Sequence, residues 1–379
     1  RASYSWHSPG HGGGVAFRKS PVGRAFHDFF GENTLRSDLS VSVPGLGSLL
    51  DHNGPIAEAE ANTARTFGAD HSFYVINGTS TANKIIWHAF VTRDDVVLVD
   101  RNCHKSILHA ITMTGAIPVY LTGSRNDYGI IGPISLDSFS PQSLRQRLAE
   151  HPLLQGRTPR IRLAVLTNST YDGLCYNAEL IKDELEDAVD ILHFDEAWYG
   201  YAAFHEFYAG RHGMGKKRGF DRARHPLVFA TQSPHKVLAA LSQASIILAE
   251  NSVEQQLDVE RFNESFMMHT STSPHYGIIA SIDVATGMMA GEPGRSLVQE
   301  TLDEALSFRL AMQQTAERLD EEQWWFDVWE PEQALDNEEL LASDWTLDNN
   351  APWHGFGEMA DDYALLDPIK VTLLTPGVE

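Results

Sequence analysis

The sequence predicts an α/β protein whose mostly parallel sheet is covered by helices on both faces. Short apolar runs, each of strand length, recur along the chain at Phe73–Ile76, Val96–Val99, Val119–Leu121, Leu163–Leu166, Ile191–Phe194 and Leu227–Ala230. Most of the gaps between these runs hold helical patterns, and this alternation favours a parallel sheet. Because such sheets bind ligands at the carboxyl ends of their strands, the residues after each run are the first candidates for a functional site.

Composition and charge narrow the class of protein. The 379 residues are 42% hydrophobic, which is typical of a globular chain. The sequence holds no apolar stretch of about 18 residues, so no membrane-spanning helix is predicted. A net charge of −22 argues against a nucleic-acid partner and favours a cationic substrate through long-range attraction. The two cysteines, Cys103 and Cys175, are too few for a disulfide framework and indicate a reducing, cytoplasmic location.

The part of the chain before the first run is predicted to be loop, turn and helix. Glycines crowd residues 8–14, which favours a loop that either binds an anion or is a flexible lead-in. A turn over Leu49–Pro55 precedes a helix that begins near Ile56, directly behind the proline. Later segments in which apolar residues recur with helical spacing are 82–90, Ser143–Glu150 and Ala178–Val189.

Hydroxyl residues follow the first apolar run. Thr79, Ser80 and Thr81 come directly after Gly78 and open a predicted helix. Free backbone N–H groups and the positive end of the helix dipole converge there with side-chain donors, an arrangement suited to a phosphate. Capping of the helix by a Ser or Thr is the simpler alternative, but a cap requires only one hydroxyl.

A histidine follows the second apolar run, within the segment Asp100–Ser106. His104 could stack on an aromatic cofactor, although a lone histidine in a loop is more often part of the polar surface. No metal site is predicted, because no second Cys/His pair has ligand spacing.

An aspartate follows the fifth apolar run. Asp195 is predicted to end a buried strand, where a carboxylate is unstable without a cationic partner. A protonated pyridine nitrogen would supply that cation, and the small side chain of Ala197 offers a face on which a ring can lie. Capping of a helix is the alternative role for this aspartate.

A lysine follows the sixth apolar run. Lys236 ends the segment Ser233–Lys236, and small and hydroxyl residues lie on both sides of it. That setting suits a lysine that binds the aldehyde of pyridoxal phosphate (PLP) covalently, since the phosphate of this cofactor needs nearby donors. An exposed loop lysine is the alternative for this motif alone. The hydroxyls at 79–81, Asp195 and Lys236 all fall at strand ends of one predicted sheet, and this combination indicates a PLP site.

Segments throughout the chain resemble the bacterial ornithine/lysine/arginine decarboxylases, and among these the lysine decarboxylases most closely. The segments are Ser8–His11, Asn77–Asn83, Asp100–Ser106, Asn168–Gly173, His193–Tyr199, Thr231–Lys236, Ser242–Ser245, His269–Pro274, Trp353–Phe356 and Leu366–Val371. The resemblance implies the PLP-dependent transferase fold type I: a mostly parallel seven-stranded sheet flanked by helices, with the start of a smaller C-terminal α+β domain. It also implies decarboxylation of a basic amino acid, first of all lysine to cadaverine and CO2, with arginine or ornithine as alternative substrates.

The resemblance also implies roles for individual residues. Lys236 carries the cofactor, Asp195 pairs with the pyridine nitrogen, and the ring lies between His104 and Ala197. His235 or Lys236 returns a proton to the substrate carbon. The other cofactor-binding residues that it implies are Thr79, Ser80, Thr81, Trp198, Ser233 and His235, with Ser271 or Thr272 supplied by a neighbouring subunit.

The predicted organisation has three parts. Residues 1–60 are expected to form an N-terminal arm, 61–295 the PLP-binding large domain, and 296–379 a long linking helix and the beginning of the small domain. Because the family members are longer, the chain is expected to be a piece of a longer polypeptide. A homodimer is implied as the minimal unit, with a higher ring of dimers for the full-length protein. Another fold-type-I reaction, such as transamination or aldol cleavage, and a non-catalytic PLP-binding scaffold are the alternatives.

Overall fold

The computed structural model describes residues 8–40, 43, 45–215, 226–319, 326–332, 334–335 and 339–375. The first seven residues of the predicted N-terminal arm and the last four residues of the chain lie outside this part. Its strands are β1 (His71–Val75), β2 (Val96–Asp100), β3 (Ile117–Leu121), β4 (Ile161–Thr167), β5 (Leu174–Tyr176), β6 (Val189–Asp195), β7 (Leu227–Gln232), β8 (Ser245–Glu250), β9 (Asp327–Val328), β10 (Ala364–Leu366) and β11 (Leu373–Leu374). Its α-helices are α1 (Pro21–Ser37), α2 (Gly54–Phe67), α3 (Thr79–Phe90), α4 (Lys105–Thr114), α5 (Pro141–Glu150), α6 (Ala178–Leu185), α7 (Pro234–Val237), α8 (Val259–His269), α9 (Tyr276–Met289) and α10 (Glu292–Arg318).

Seven strands form one sheet in the order β1-β8-β7-β6-β4-β2-β3. Neighbouring strands from β7 to β3 pair in parallel, and β8 is antiparallel to both β7 and β1. The strand β1 therefore runs in the same direction as the parallel strands, and the carboxyl ends of β1, β2, β6 and β7 share one edge. The predicted mostly parallel seven-stranded sheet is confirmed, and the six apolar runs correspond to β1, β2, β3, β4, β6 and β7.

Burial explains why these runs form a sheet of this kind. Every residue of β2, β7 and β8 is buried. Since alternate side chains of a strand point to opposite faces, a strand buried along its whole length must be covered on both faces. Helices provide the cover: α3 packs against α4 and α8, while α2 packs against β1 and α9.

The predicted helices form, with one error of length. The helix expected near Ile56 is α2, the pattern at 82–90 lies in α3, and the pattern at Ser143–Glu150 lies in α5. The prediction that a helix extends to Val189 is wrong, because α6 ends at Leu185 and a turn follows. Val189 instead begins β6 and pairs with β4, where a β-branched side chain packs well.

The last part of the chain contains the long helix α10 and a strand that pairs with an earlier one. The predicted boundary between residues 295 and 296 falls inside α10, a helix of 27 residues. Beyond it, β10 pairs with β5, and β9 pairs with β11. The division into three segments stays a prediction. None of the described helices has the length and apolarity needed to cross a membrane.

Candidate functional site

A pocket of about 290 Å³ opens at the edge where β6 and β7 end. Predicted site residues that line it are His104, Asp195, Ala197, Trp198 and Lys236. These residues come from three separate segments of the chain, and the parallel pairing of β6 with β7 explains why two of the segments meet. The structure therefore brings together five of the residues that the sequence predicted.

Asp195 is a buried carboxylate at the last position of β6. One carboxylate oxygen, Oδ2, accepts a hydrogen bond from Nδ2 of Asn83 at 3.0 Å, and Oδ1 accepts one from the backbone N–H of Ala197 at 3.3 Å. Burial raises the pKa of Asp195, and the hydrogen bond from Asn83 partly opposes that rise. A cation placed in the pocket would stabilise the ionised carboxylate.

Lys236 lies in the short helix α7, directly after β7. Its Nζ atom is 4.5 Å from the centre of the Trp198 ring. Burial lowers the pKa of Lys236, Asp195 opposes this effect, and the nearby Lys370 adds to it. A lowered pKa increases the fraction of neutral amine, which is the nucleophilic form of a lysine.

His104 caps the N-terminus of α4. Its Nδ1 atom lies 2.8 Å from the hydroxyl of Ser106 and accepts a hydrogen bond from the backbone N–H of the same serine at 3.2 Å. Partial burial lowers the pKa of His104, although Asp195 opposes the shift. The ring is therefore held in one orientation at the pocket wall, and its neutral form is favoured.

Two of the hydroxyls predicted to bind phosphate are engaged with each other. Thr79 Oγ1 lies 2.6 Å from the hydroxyl of Ser233 and 2.8 Å from that of Ser245. Because Ser245 donates to the carbonyl of Gln232, Thr79 must donate to Ser245, and Ser233 must donate to Thr79. The hydroxyl hydrogens of Thr79 and Ser233 are thus used within this cluster.

The other two predicted phosphate hydroxyls differ from each other. The hydroxyl of Thr81 donates back to the carbonyl of Asn77 at 3.1 Å, as helical threonines often do. No hydrogen bond involves the Ser80 hydroxyl within the described part of the chain, and Ser80 is only half-buried. Ser80 is therefore the hydroxyl available to a ligand at the N-terminus of α3.

Like the four hydroxyl residues at positions 79–81 and 233, the remaining three predicted site residues do not line the pocket. His235 precedes Lys236, and its Nδ1–H donates to the carbonyl of Ala244 at 2.6 Å. Ser271 and Thr272 follow α8 and are exposed. Their expected role requires a second subunit, and it stays a prediction.

The family is shown by comparison with known proteins. The model of the family described as "Orn/Lys/Arg decarboxylase, major domain" matches residues 1–379. The chain belongs to this family. The predicted family membership is thus confirmed across the whole of the given sequence.

Individual relatives agree with this assignment. The lysine decarboxylase LdcA of Pseudomonas aeruginosa is 67% identical over 378 residues, which are 100% of this chain and 50% of the relative. Its solved structure matches this major domain with a TM-score of 0.94, again over 100% of this chain and 50% of the other. The biodegradative arginine decarboxylase of Escherichia coli is 45% identical over 99% of this chain and 52% of its own length. The chain therefore spans about half the length of the curated relatives that it matches.

The fold class is confirmed by a more distant structure. An L-threonine transaldolase from Pseudomonas fluorescens matches with a TM-score of 0.50 at 15% identity, over 78% of this chain and 61% of its own. A likeness at this identity concerns the fold alone. The major domain thus has the fold-type-I architecture that its sequence predicts.

Several residues that contact the pocket lining of this major domain were not predicted individually. Asn83 contacts Asp195, and Ser106 contacts His104. The amine of Lys370 is bonded to Ser169 and Thr170, which line the pocket. Asn83 had a signal in the sequence, because a residue with low helix propensity stands among the apolar residues of α3. Lys370 lies in the segment Leu366–Val371, which carries part of the family resemblance, but nothing in the sequence placed it beside the pocket.

Proposed function

We propose that the chain forms the catalytic domain of a PLP-dependent amino-acid decarboxylase that converts lysine to cadaverine and CO2. The observation that carries the proposal is the joint presence of Lys236 and Asp195 in one pocket of an Orn/Lys/Arg decarboxylase major domain. The choice of lysine rests on the 67% identity to a lysine decarboxylase, against 45% to an arginine decarboxylase.

The residues of the pocket fit PLP by their chemistry. Asp195 is a buried carboxylate whose pKa is raised by burial, so it gains from a protonated ring nitrogen. Lys236 is an amine whose pKa is lowered, which suits covalent attachment to an aldehyde. The N-terminus of α3 offers backbone N–H groups, a positive dipole and the free hydroxyl of Ser80, which suit a phosphate.

Each residue then has a task in decarboxylation. When bound, PLP supplies an electron-accepting ring that takes up the bond electrons as CO2 leaves. Asp195 holds a proton at the ring nitrogen and so keeps the ring electron-poor. Lys236, whose amine lies in the pocket, would be the acid that returns a proton to the substrate carbon.

His235 is a second candidate for the returned proton. Its Nδ1–H is committed to the carbonyl of Ala244, so proton exchange would take place at Nε2. The ring of Trp198 lies 4.5 Å from the amine of Lys236, where it is proposed to limit the access of water to the amine. The side chain of Ala197 and the ring of His104 are proposed to lie on the two faces of the cofactor.

The active unit is proposed to be a homodimer, with Ser271 or Thr272 reaching the phosphate site of the partner, and with rings of dimers in the full-length protein. Large apolar side chains are exposed on this domain, among them Phe29 at 84%, Met268 at 70% and Val284 at 58%. Exposed apolar surface of this kind is typical of a protein interface. The free thiols of Cys103 and Cys175 agree with a reducing compartment, and we place the enzyme in the cytoplasm.

A parallel assay of the full-length protein tests the proposal. Lysine, arginine and ornithine are supplied separately with PLP, and CO2 and the amine product are measured. We expect kcat/KM for lysine to exceed the other two by at least about tenfold, a difference of about 1.4 kcal/mol in transition-state binding. Arginine as the preferred substrate would replace lysine in the proposal. Keto-acid formation without CO2 would instead identify an aminotransferase.

A further inference from the structure

We propose that Asn83 is a positioning residue that fixes two groups at once, the ring-nitrogen partner Asp195 and the ring-stacking His104. The inference rests on the proposed binding of PLP and extends it to a residue outside the pocket lining. It follows from a continuous chain of hydrogen bonds in which Asn83 is the branch point.

The position of Asn83 is fixed by α3. It lies one turn after Thr79, and its side chain is fully buried. Its Nδ2 group donates to Asp195 Oδ2 and to the hydroxyl of Ser106, both at 3.0 Å. Its Oδ1 atom accepts from the hydroxyl of Thr231 at 2.8 Å. Both hydrogens of the buried Nδ2 group and one acceptor position of Oδ1 are therefore used in hydrogen bonds.

The orientation of the Asn83 amide determines which group donates in the neighbouring hydrogen bonds. Since Thr231 gives its only hydroxyl hydrogen to Asn83, the contact of 3.1 Å between Thr231 and His193 requires Nε2 of His193 to be the donor. The other nitrogen of His193, Nδ1, is buried without a hydrogen-bond partner in the described part of the chain, which agrees with an unprotonated Nδ1. A flipped Asn83 would place its oxygen against the carboxylate of Asp195.

Asn83 also acts on His104, through the hydroxyl of Ser106. Ser106 receives the hydrogen of Asn83, so its own hydroxyl hydrogen is available for Nδ1 of His104, 2.8 Å away. The backbone N–H of Ser106 points to the same nitrogen. His104 must then carry its proton on Nε2. One asparagine thus orients a carboxylate from β6 and also the hydroxyl of Ser106, which, together with the backbone N–H of Ser106, holds the ring of His104 at the start of α4.

The first arm of the test measures the link to Asp195 in the full-length enzyme. Wild type and Asn83→Leu, which has a similar size but no polar atoms, are each reconstituted with PLP and with an analogue whose ring nitrogen is replaced by carbon. We expect Asn83→Leu to lower kcat/KM with PLP by about 10- to 100-fold, the range for a hydrogen bond to a charged group. We also expect the loss caused by the analogue to shrink by a similar factor in this variant.

The outcomes of this arm are distinct. One outcome is that the loss of kcat/KM caused by Asn83→Leu and the loss caused by the carbon analogue simply multiply when the two are combined. In that case Asn83 acts only through the general stability of the fold, and its role toward Asp195 is refuted. Asn62→Leu, the same change on α2, is the matched control and should behave as wild type. If the wild type gains no visible absorbance from lysine-bound cofactor, the proposed function itself fails.

The second arm needs no cofactor and reads His104. Diethyl pyrocarbonate acylates an unprotonated imidazole nitrogen. In His104 that nitrogen is Nδ1, which is hydrogen-bonded to the hydroxyl and the backbone N–H of Ser106. His104 and His109 are both exposed, so peptide mapping of the cofactor-free enzyme should show slow labelling of His104 relative to His109 because of the contact with Ser106 alone. Asn83→Leu and Ser106→Ala should both accelerate it by about tenfold, as expected for the loss of one hydrogen bond.

Ser106→Ala separates the two halves of the proposal. This variant keeps the bond from Asn83 to Asp195, so the loss caused by the carbon analogue should stay as large as in wild type. It should nevertheless accelerate the labelling of His104. Unchanged labelling in Asn83→Leu would refute the role of Asn83 toward His104, whatever Ser106→Ala does, and Asn83→Ala replaces Asn83→Leu if the latter fails to fold.

Discussion

Asp195 at the end of β6 pairs in register with Thr231 of β7, and Lys236 follows that strand by only a few residues. The carboxylate and the amine therefore enter one pocket from adjacent parallel strands. Lys236 and Asp195 also influence each other electrostatically, because the carboxylate opposes the lowering of the lysine pKa by burial. This relationship leads to separate predictions for the two residues.

Lys236→Ala should bind PLP without a covalent bond. Its turnover should fall by at least about 10²- to 10⁴-fold, because a positioned proton-transfer group alone contributes a factor of this size. In the wild type, borohydride reduction followed by peptide mapping should find the cofactor on Lys236. Lys105→Ala is the matched control, because Lys105 also lines the pocket and its loss should leave the label in place. A label on Lys105 or Lys84 would contradict the assignment.

Asp195→Asn keeps the shape of the side chain but removes its charge. The protonated ring nitrogen then loses its partner, and the backbone N–H of Ala197 faces an amide that cannot accept at both positions. We expect kcat to fall by about 10²- to 10³-fold, as for the loss of one preorganised electrostatic group. The affinity for PLP should fall only modestly, since Lys236 and the phosphate site remain. Turnover close to that of the wild type would show that another group holds the ring nitrogen.

Ser80→Ala should weaken PLP binding by about tenfold or more, because a hydrogen bond to a charged group is lost. Thr81→Ala is the matched control and should have little effect, since the Thr81 hydroxyl is bonded to the carbonyl of Asn77. Titration of the cofactor-free enzyme with PLP, followed by absorbance, measures both. Equal losses in the two variants would mean that the hydroxyl of Thr81 turns toward the phosphate.

The strands and the two central residues could be predicted from the sequence because their signals are local. The run Ile191–Phe194 is apolar apart from His193, because β6 is covered on both faces, and the charged residue that follows it stands out. The same reasoning applies to Leu227–Ala230 and Lys236. Predicting the end of α6 failed, because the apolar residues Ala188 and Val189 continue a helical pattern that the pairing of β6 overrides.

The hydrogen-bond network could not be predicted in this way. Asn83 and Asp195 are 112 positions apart in sequence, and only the packing of α3 on the sheet brings them together. The hydroxyls of Thr79 and Ser233 show the same limit. Each is a reasonable phosphate donor in the sequence, yet tertiary contact commits the hydrogens of both elsewhere.

The stability of the fold should fall as the pH is lowered, partly because of His193. Burial lowers the pKa of His193 to about 3, from an ordinary value of 6.5. The folded protein keeps this ring neutral while the unfolded chain takes up a proton below about pH 6.5, so the contribution to folding is full above that pH and is lost as the pH falls toward 3. The loss is at most about 1.4 kcal/mol per pH unit.

His193→Gln tests this prediction, because glutamine can still donate a hydrogen bond to Thr231 but does not titrate. Urea midpoints of the full-length protein at pH 7.5, 6 and 5 should decline less steeply in the variant than in the wild type. His109→Gln, at an exposed site, is the matched control. If the difference in urea midpoint between wild type and His193→Gln stays constant with pH, His193 does not contribute to the pH dependence of stability.

The hydroxyls of Ser271 and Thr272 should complete the phosphate site of a neighbouring subunit. Both are exposed and line no part of the pocket in their own chain, and exposed apolar side chains such as Met267 and Met268 lie close to them in sequence. The two methionines are not buried against their own subunit, so they are available for contact with a partner, as the hydroxyl cluster is. We therefore expect sedimentation of the full-length protein to show dimers or multiples of dimers.

Subunit mixing gives the decisive test of a shared site. A Lys236→Ala subunit has an inactive pocket but intact Ser271 and Thr272, whereas a subunit with both hydroxyls replaced by alanine keeps Lys236. In a mixed dimer, one pocket combines both defects and the other is fully native. Random mixing should restore tight cofactor binding and turnover at about one quarter of all sites, as two-fold symmetry requires. A fully active monomer, or a mixture no better than the average of its parents, would refute the shared site.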